Sequence, residues 1–336
     1  MMGLKKYIYL MDHHSDHMKA TAKAHPIQGL IKYHGLKDEE LRIPYHDSIS
    51  VCTGPISTVT TAEAQYDLDR DRIIINGEEP TDRDLQRVID ILERIREISA
   101  ERVYFKVESK NDFQTNIGLG ASSSGFAALA MAACSALDLG LQIKEISKIA
   151  RLGAGSASRS VAGGFARWVA GDSDDTSYAY RLDSDLKMGM LAVVIPAFKS
   201  TEDAHRAVTT SPFFQARLDY LEEPLKEMER AIRKKDIGTV GWLAEMDTMN
   251  LHGITMTSVD EMFLWEPETV RVIQVVKQMR RRGMEVSFSI DTGATVYINT
   301  QPDNVQDVKG WLTDEGFKVL ELEVAPGAAT IDEHLF

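Results

Sequence analysis

A glycine- and serine-rich turn that leads into an alanine-rich helix constrains this chain more than any other segment. The turn reads NIGLGASSSG over residues 116–125, and the helix is predicted from Phe126 to Leu137. Glycines let backbone N–H groups converge on an anion, and the positive end of the following helix points to the same place. The segment therefore predicts a phosphate-binding loop in a chain of mixed α/β pattern.

The spacing of this turn excludes two common phosphate-binding loops. No Gly-Lys-Ser or Gly-Lys-Thr occurs in it, so it is not a Walker loop. It also lacks the glycine spacing and the acidic partner of a dinucleotide fingerprint. A tight turn before a closely packed helix of small residues would require the same glycines and serines. From this segment alone, both interpretations stay open.

Charge and cysteine content exclude several classes of function. The 336 residues include 38 Lys and Arg against 51 Asp and Glu, which gives a net charge of −13, and 43% are hydrophobic. This composition is typical of a globular protein, and the acidic balance argues against nucleic acid or anionic membrane as the main partner. Two cysteines, Cys52 and Cys134, cannot build a disulfide scaffold and favour a reducing compartment. The apolar stretch 7–11 is too short to span a bilayer, so we expect a cytoplasmic protein.

The chain is predicted to consist of an N-terminal extension and two domains. The extension covers residues 1–18, the first domain 19–187 and the second 188–336. The extension contains a possible metal cluster, but we favour a solvated tail; the cluster comprises Asp12, His13, His14, Asp16 and His17.

Hydrophobic periodicity predicts the elements of the first half. The β-branched stretch 48–64 is interrupted by Gly54-Pro55, which indicates a hairpin or a bulge. Apolar residues at helical spacing predict a helix from Leu85 to Ile98, capped by Thr81 or Asp82. A second helix is predicted over 143–152.

The second half is predicted to alternate strands and helices, with helices at roughly 214–235 and 239–250. A further helix begins near Pro267 and ends at three arginines followed by Gly283, a basic last turn that complements the helix dipole. Residues 286–290 and 295–299 should form a hairpin, and 319–324 the closing strand.

Four segments, in order along the chain, resemble motifs of the mevalonate-diphosphate decarboxylases, which belong to the GHMP small-molecule kinase superfamily. They are AHPIQGLIKYHGLKD at 24–38, GLGASSSGFAALA at 118–130, GAGSASRSVAGGFARW at 153–168 and IDTGATV at 290–296. The family patterns are close to AHxNIALIKYWGKxD, the superfamily's ATP-binding motif, GSGSASRSxxGGFxEW and MDAGPNV. The resemblance implies an α+β GHMP-kinase fold with a ribosomal-S5-like N-terminal domain and a ferredoxin-like C-terminal domain. The active site would lie in the cleft between them.

The resemblance also implies a reaction, the ATP-dependent decarboxylation of a phosphorylated mevalonate in isoprenoid biosynthesis, with ATP and Mg²⁺ as cofactors. Asp291 matches the family's catalytic aspartate, which would take or orient the proton of the 3-hydroxyl group. Arg159 matches an arginine whose guanidinium group can bind the substrate carboxylate through two parallel N–H donors. Ser156 and Ser158 are expected to assist in binding the substrate.

Lys32 and Tyr33 match a Lys-Tyr pair that would contact the substrate phosphate or the transferred phosphoryl group. Ser122 aligns with the serine that reaches the γ-phosphate, and it is the one residue assigned to Mg²⁺. The ATP site as a whole is expected to comprise Gly118, Gly120, Ala121, Ser122, Ser123 and Ser124.

Four of these residues also have a purely structural interpretation. An Asp-Thr-Gly sequence is ordinary turn chemistry, so Asp291 could simply brace its turn. Arg159 could be a buried arginine paired with an acid, Lys32 a solvated lysine and Tyr33 a core aromatic residue.

Departures from the family pattern concern the substrate phosphate. Leu36 stands where the diphosphate enzymes carry lysine, although Lys37 is adjacent, and Ala154 replaces a serine. The Asn-Ile-Ala of the family pattern is replaced by Ile-Gln-Gly at 27–29, and the first serine of the family's loop is replaced by Ala121. A lost charge-assisted bond of about 1.5–3 kcal/mol should weaken the preference for an extra phosphate. With PYHDSISV at 44–51, the chain resembles the archaeal-type phosphomevalonate decarboxylases.

The predicted substrate is therefore (R)-5-phosphomevalonate, and the predicted product isopentenyl phosphate. Arg206 or Lys199 is the expected additional cation for the 5-phosphate, with ordinary surface charge as the alternative. A mevalonate-diphosphate decarboxylase, an ATP-independent decarboxylase of a 3,5-bisphosphate, a kinase of the same fold and an inactive metabolite-binding protein remain alternatives. The resemblance also implies a homodimer.

Overall fold

The computed structural model describes residues 18–115, 118–197 and 201–336. The predicted extension, Asn116 and Lys199 lie outside these residues, except for Met18 at the end of the extension. The strands are β1 (Lys19–Ala24), β2 (Ile27–Ile31), β3 (Leu36–Asp38), β4 (Ile43–Pro44), β5 (Ser48–Gly54), β6 (Thr58–Gln65), β7 (Arg72–Ile75), β8 (Tyr104–Asn111), β9 (Phe165–Val169), β10 (Tyr178–Arg181), β11 (Gly189–Val193), β12 (Val286–Ser289), β13 (Val296–Thr300), β14 (Val319–Val324) and β15 (Ala329–Ile331). The helices are α1 (Asp82–Ser99), α2 (Ala121–Ala136), α3 (Ile143–Gly153), α4 (Gly155–Ala162), α5 (Thr201–Val208), α6 (Phe214–Tyr220), α7 (Glu222–Lys234), α8 (Ile237–Met256), α9 (Pro267–Arg281) and α10 (Val305–Asp314).

The alanine-rich helix α2 forms the centre of the first layered unit. It packs on one side against β1 and β6 of a five-stranded sheet ordered β15-β1-β6-β8-β7, and on the other against α1, α3 and α4. Ala127, Ala130 and Ala133 are completely buried. Because alanine side chains add little bulk, the helix can lie close to its neighbours on every side. This packing explains why the segment carries so few large residues.

A second, larger sheet runs through both halves of the sequence. Its strands lie in the order β10-β9-β5-β14-β11-β13-β12, and β2 also pairs with β5. Helix α8 packs against β12 and β2, while α9 and α10 lie near β12 and β11. Strand β14 joins the halves, since Glu323 pairs with Gly54 and Val324 with Thr53.

The connection at Gly54-Pro55 is neither a hairpin nor a bulge, which corrects the sequence-based prediction. The bond between these residues is a cis peptide, and the chain changes sheets there. Strand β5 pairs with β2, β9 and β14, whereas β6 pairs with β1 and β8. All seven residues of β5 are buried, so this strand needs neighbours on both edges and layers on both faces. Local composition gives the strand propensity but not the partner.

Most of the other predicted elements are confirmed, with shifted ends. The predicted hairpin at 286–300 is β12 paired antiparallel with β13, and α9 ends before Gly283, whose φ of +87° suits glycine. The predicted helix at 214–235 is divided into α6 and α7, and β15 follows the expected closing strand. Helix α4 was not predicted, because its small residues between glycines show no apolar periodicity. Among the described residues, no helix is both long and apolar enough to cross a membrane.

Candidate active site

One cavity of about 400 Å³ lies where the two sheets and their connecting segments meet. Strand β2, the loop before α2, helices α4 and α5, and the turn between β12 and β13 all contribute to its wall. Of the residues that the sequence singles out, the cavity brings together Lys32, Tyr33, Gly118, Gly120, Ala121, Ser122, Ser123, Ser156, Arg159 and Asp291. The four sequence motifs, which are distant along the chain, thus contribute to one site.

Asp291 begins the turn after β12 and points back to β2. Both of its carboxylate oxygens accept the backbone N–H of Gly29, at 3.1 and 3.2 Å. A Cβ atom on residue 29 would lie 2.8 Å from Asp291 Oδ1 and 2.8 Å from Lys32 Cγ, so this close approach depends on glycine. Burial raises the pKa of the Asp291 carboxyl, against the opposing effects of Lys32, the Gly29 N–H and Arg159. A carboxyl with a raised pKa is better matched to proton transfer near neutral pH.

Lys32 follows β2 and is held by a buried ion-pair network. Its Nζ lies 3.7 Å from Asp247 Oδ2 on helix α8, and the same oxygen accepts the Lys32 backbone N–H at 2.8 Å. Arg217 lies 3.0 Å from the other oxygen of Asp247 and donates to the Lys32 carbonyl at 2.8 Å. Desolvation lowers the pKa of Lys32, while Asp247 and Asp291 oppose that effect. The network fixes the lysine at the cavity wall.

Arg159 is a buried cation without an acidic partner among the residues that the structure describes. Its side chain lies on α4, only 2% exposed, with the guanidinium carbon 5.3 Å from the Tyr33 ring and 5.8 Å from the Trp168 ring. Its Nε and Nη1 have no hydrogen-bond partner in the described chain. Burying such donors unpaired is costly, so the arginine is suited to an anion that enters the cavity.

The glycine loop contacts the turn that carries Asp291. Gly118 and Gly120 have φ values of +78° and +74°, and a Cβ on Gly293 would lie only 2.9 Å from the Gly118 Cα. Ser123 Oγ donates to the Gly120 carbonyl at 2.6 Å, which fixes the loop, whereas Ser122 is exposed. Helix α2 begins here with no side-chain cap, so its first N–H groups can bind an anion.

Several predicted residues lie elsewhere. Ser124 is buried against Thr58 Oγ1 at 2.7 Å, and Ser158 donates to the Gly155 carbonyl at 2.6 Å; neither lines the cavity. Arg206 is 62% exposed on α5 and pairs with Glu39 at 3.5 Å, outside the cavity.

Comparison with known proteins shows the family to which the chain belongs. Residues 24–179 match the diphosphomevalonate decarboxylase-like N-terminal domain, and residues 196–319 match the mevalonate 5-diphosphate decarboxylase C-terminal domain. The phosphomevalonate decarboxylase of Haloferax volcanii is 42% identical over 319 residues, which cover 94% of this chain and 98% of that protein. The chain belongs to the mevalonate-diphosphate decarboxylase family.

Solved structures of this family show the same fold. The mevalonate diphosphate decarboxylase of Staphylococcus aureus superposes with a TM-score of 0.89 at 34% identity, covering 94% of this chain and 98% of that one. A structure described as MDDEF in complex with MVAPP, AMPPCP and magnesium gives a TM-score of 0.87 at 33% identity, covering 94% and 99%. The predicted family and the GHMP-kinase fold are confirmed, and the chain is a decarboxylase of the mevalonate pathway.

The cavity also contains residues that the sequence motifs did not reveal. They are His34, Arg42, Arg87, Glu202 and His205, and His34 also bonds the turn that carries Asp291, through Thr292 Oγ1 at 3.0 Å. Arg42 comes from β3–β4, Arg87 from α1, and Glu202 and His205 from α5. No local motif joins these residues, because they meet only through tertiary packing. The sequence signal that could have found them is weak: His34 stands where the family pattern has tryptophan.

Positions that depart from the family pattern also have definite places. Ala154 lines the main cavity, whereas Leu36 lines a smaller adjoining pocket of about 130 Å³. Lys37 does not replace the missing cation, because its Nζ pairs with Asp172 at 2.6 Å and donates to the Gly171 carbonyl at 2.7 Å. Lys37 therefore brings no free charge to either pocket.

Proposed function

We propose that this protein catalyses the ATP-dependent decarboxylation of (R)-5-phosphomevalonate to isopentenyl phosphate, CO₂, ADP and phosphate. The observation that carries the proposal is one cavity that holds Asp291, the unpaired Arg159 and the glycine loop before α2. The Haloferax volcanii relative, named for the monophosphate, shares 42% identity, against 34% for the Staphylococcus aureus diphosphate enzyme.

Asp291 is the proposed base for the substrate's 3-hydroxyl group. Its carboxylate is fixed by the Gly29 N–H and lies beside Lys32, so it is presented to the cavity in one orientation. Accepting the hydroxyl proton makes that oxygen a better nucleophile toward the terminal phosphate of ATP. The resulting 3-phosphate is a far better leaving group than hydroxide, and its departure with CO₂ gives the alkene.

Arg159 is proposed to hold the substrate carboxylate until CO₂ leaves. Its unpaired nitrogens supply the donors, and the aromatic faces of Tyr33 and Trp168 keep water away from the guanidinium group. Lys32, held by Asp247, would neutralise charge on the phosphoryl group in transfer. Ser156 lines the same wall and is a candidate partner of the carboxylate.

The loop at 118–123 is proposed to bind the ATP phosphates through backbone N–H groups and the exposed Ser122 hydroxyl. In the described part of the chain there is no group of three acidic, histidine or cysteine side chains that could hold a metal ion. A divalent ion such as Mg²⁺ would supply charge neutralisation at the phosphates. Ser122 is the residue proposed to hold it.

We further propose a cytoplasmic homodimer with a domain boundary near residue 187. An apolar stripe on α8 supports a partner surface, since Trp242, Met246 and Met249 are spaced on one face and are 53, 41 and 47% exposed. Sedimentation of the wild type and of a Trp242→Glu variant tests this, because the variant should shift the protein to monomer.

One assay separates the proposed reaction from its alternatives. The protein is incubated with each mevalonate phosphate, with and without ATP, and both CO₂ and ADP are measured. We expect both products from the 5-monophosphate only when ATP is present. ADP without CO₂ would indicate a kinase, CO₂ without ATP an ATP-independent decarboxylase, and higher kcat/KM on the diphosphate a diphosphate enzyme.

A further inference from the structure

Four residues at one end of the cavity form a cluster that no sequence motif marks. The cluster, here called the phosphate end, comprises His34, Arg42, Glu202 and His205. The two histidines and Arg42 are at most 8% exposed. Each carries a buried atom without a hydrogen-bond partner in the described chain, namely His34 Nδ1, Arg42 Nε and His205 Nε2. Unpaired polar atoms at a cavity wall indicate a polar ligand.

The hydrogen bond of His205 fixes which of its nitrogens carries the proton. The Gly35 backbone N–H donates to His205 Nδ1 at 3.2 Å, so Nδ1 is the acceptor. In the neutral ring Nε2 must then bear the hydrogen, and it is the unpaired donor in the cavity. Burial lowers the pKa of His205 to about 3, and the ring stacks on Tyr33 at 5.0 Å between centroids. His205 thus offers one fixed N–H donor to the cavity, beside Tyr33 and His34.

Glu202 sets the charge balance of the same end. Its carboxylate pairs with Arg42 on one side and with Arg83 on the other. Burial acts to raise the pKa of Glu202, but the Arg42 charge and hydrogen bond outweigh it and lower that pKa to about 2. Glu202 is therefore ionised at neutral pH and takes up part of the arginine charge. One phosphate can accept hydrogen bonds from the remaining donors of His205 and Arg42. A second phosphate would be repelled by the Glu202 carboxylate.

The space beyond the phosphate end offers no free cation among the described residues that line it. The adjoining pocket of about 130 Å³ is lined by Leu36, Glu39, Glu202, His205 and Arg206, among others. Arg206 is already paired with Glu39 at 3.5 Å. A second phosphate placed there would find the apolar Leu36, the carboxylates of Glu39 and Glu202, and no unpaired cation among the described residues that line the pocket.

We propose that His205 and Arg42 bind the terminal phosphomonoester of the substrate, and that Glu202 rejects a second phosphate by charge repulsion. This inference rests on the proposed function and names the residues that set its phosphate specificity. A phosphomonoester oxygen accepts the Nε2–H of His205 and another accepts from Arg42. The terminal phosphate of ATP offers similar oxygens, so the experiment must distinguish the two sources.

The test measures kcat/KM for the mono- and the diphosphate in the wild type and in Glu202→Gln. We expect the ratio of diphosphate to monophosphate to rise at least tenfold in the variant, because Gln keeps the shape of Glu and removes its charge. The matched control is Asp84→Asn, a carboxylate at the same cavity that is 74% exposed and pairs with Arg87 at 3.6 Å. Its ratio should stay within twofold of the wild type. An unchanged ratio in Glu202→Gln, or an equal rise in Asp84→Asn, overturns the inference.

A second variant covers the case in which Glu202→Gln does not fold. His205→Phe keeps a ring stacked on Tyr33 and removes the Nε2–H donor, together with the Nδ1 acceptor of the Gly35 N–H. Titration calorimetry with 5-phosphomevalonate should show binding at least tenfold weaker than in the wild type, while the affinity for ATP stays the same. Weaker ATP binding with unchanged 5-phosphomevalonate binding overturns the inference, as does no change in either. If wild-type protein binds 5-phosphomevalonate but releases no CO₂ from it, the proposed function fails while these binding results still decide the inference.

Discussion

Replacing Asp291 by asparagine is the sharpest test of the proposed chemistry. Asparagine has nearly the same shape and keeps one oxygen for the Gly29 N–H, which now binds both carboxylate oxygens at 3.1 and 3.2 Å. The second position becomes an NH₂ group facing that donor, so about 0.5–1.5 kcal/mol of hydrogen-bond energy is lost. The variant cannot accept the hydroxyl proton. We expect kcat to fall by roughly 10²–10⁴, which corresponds to about 2.7–5.4 kcal/mol in the barrier.

The assay combines kinetics with stability and nucleotide binding. CO₂ release gives kcat, calorimetry gives the melting temperature, and a fluorescent ATP analogue gives affinity. A useful comparison is Thr292→Val, which removes the bond of 3.0 Å from Thr292 to His34 in the same turn but leaves the carboxylate; its kcat should fall by less than tenfold. A stable Asp291→Asn protein that keeps a tenth or more of its kcat would refute the base assignment. A variant that melts early but keeps its specific activity would instead show that Asp291 only braces the turn.

The remaining predictions concern the surroundings of that carboxylate. Because burial raises the pKa of Asp291, the acid limb of the kcat profile should lie above the ordinary aspartate pKa of about 3.9; a limb at or below 3.9 would contradict this. Arg159→Ala should raise the barrier by about 2–5 kcal/mol, more than tenfold in kcat/KM, because the substrate carboxylate loses its partner; a folded variant with over a tenth of wild-type kcat/KM would exclude the anchor role. Asp247→Asn should destabilise the protein by about 3–5 kcal/mol in urea unfolding, since Arg217 and Lys32 would be left buried without their acid, whereas an exposed control, Asp260→Asn, should change little. The double change Leu36→Lys with Ala154→Ser should shift the ratio of kcat/KM toward the diphosphate, and an unchanged ratio would show that these positions do not select the phosphate.

The parts of the site that lie within one segment of the chain could be predicted from the sequence. The loop at 118–123 and the hairpin that carries Asp291 are local patterns of glycine, serine and β-branched residues, and the structure contains both. The order of the family motifs also predicted Arg159 as a site residue, and Arg159 lines the same cavity. Chemical roles for these residues remain predictions that the variants above address.

Contacts between segments that are distant along the chain could not be predicted from the sequence. The sequence shows that β5 contains β-branched residues, but not that its edges pair with β2, β9 and β14. Arg42 and Glu202 are 160 positions apart, and nothing local marks either as part of one ion pair. Likewise, the exposed side chain of Arg206 lies only one residue from the buried ring of His205. On a helix, adjacent residues point in different directions, and only packing decides which of them faces the cavity.

The pairing of β14 with β5 limits how a substrate can reach this cavity. The backbone there is bonded across the two halves, with Ala325 N–H donating to the Cys52 carbonyl at 3.0 Å and Gly164 N–H donating to the Ala325 carbonyl at 2.9 Å. Opening the halves like a clamshell would break these bonds in a buried part of the sheet, where water cannot replace them. A substrate must therefore enter while the two halves stay joined along this part of the sheet. Helix α5 carries both Glu202 and His205 and lies outside this sheet, so the wall at the phosphate end does not depend on these bonds.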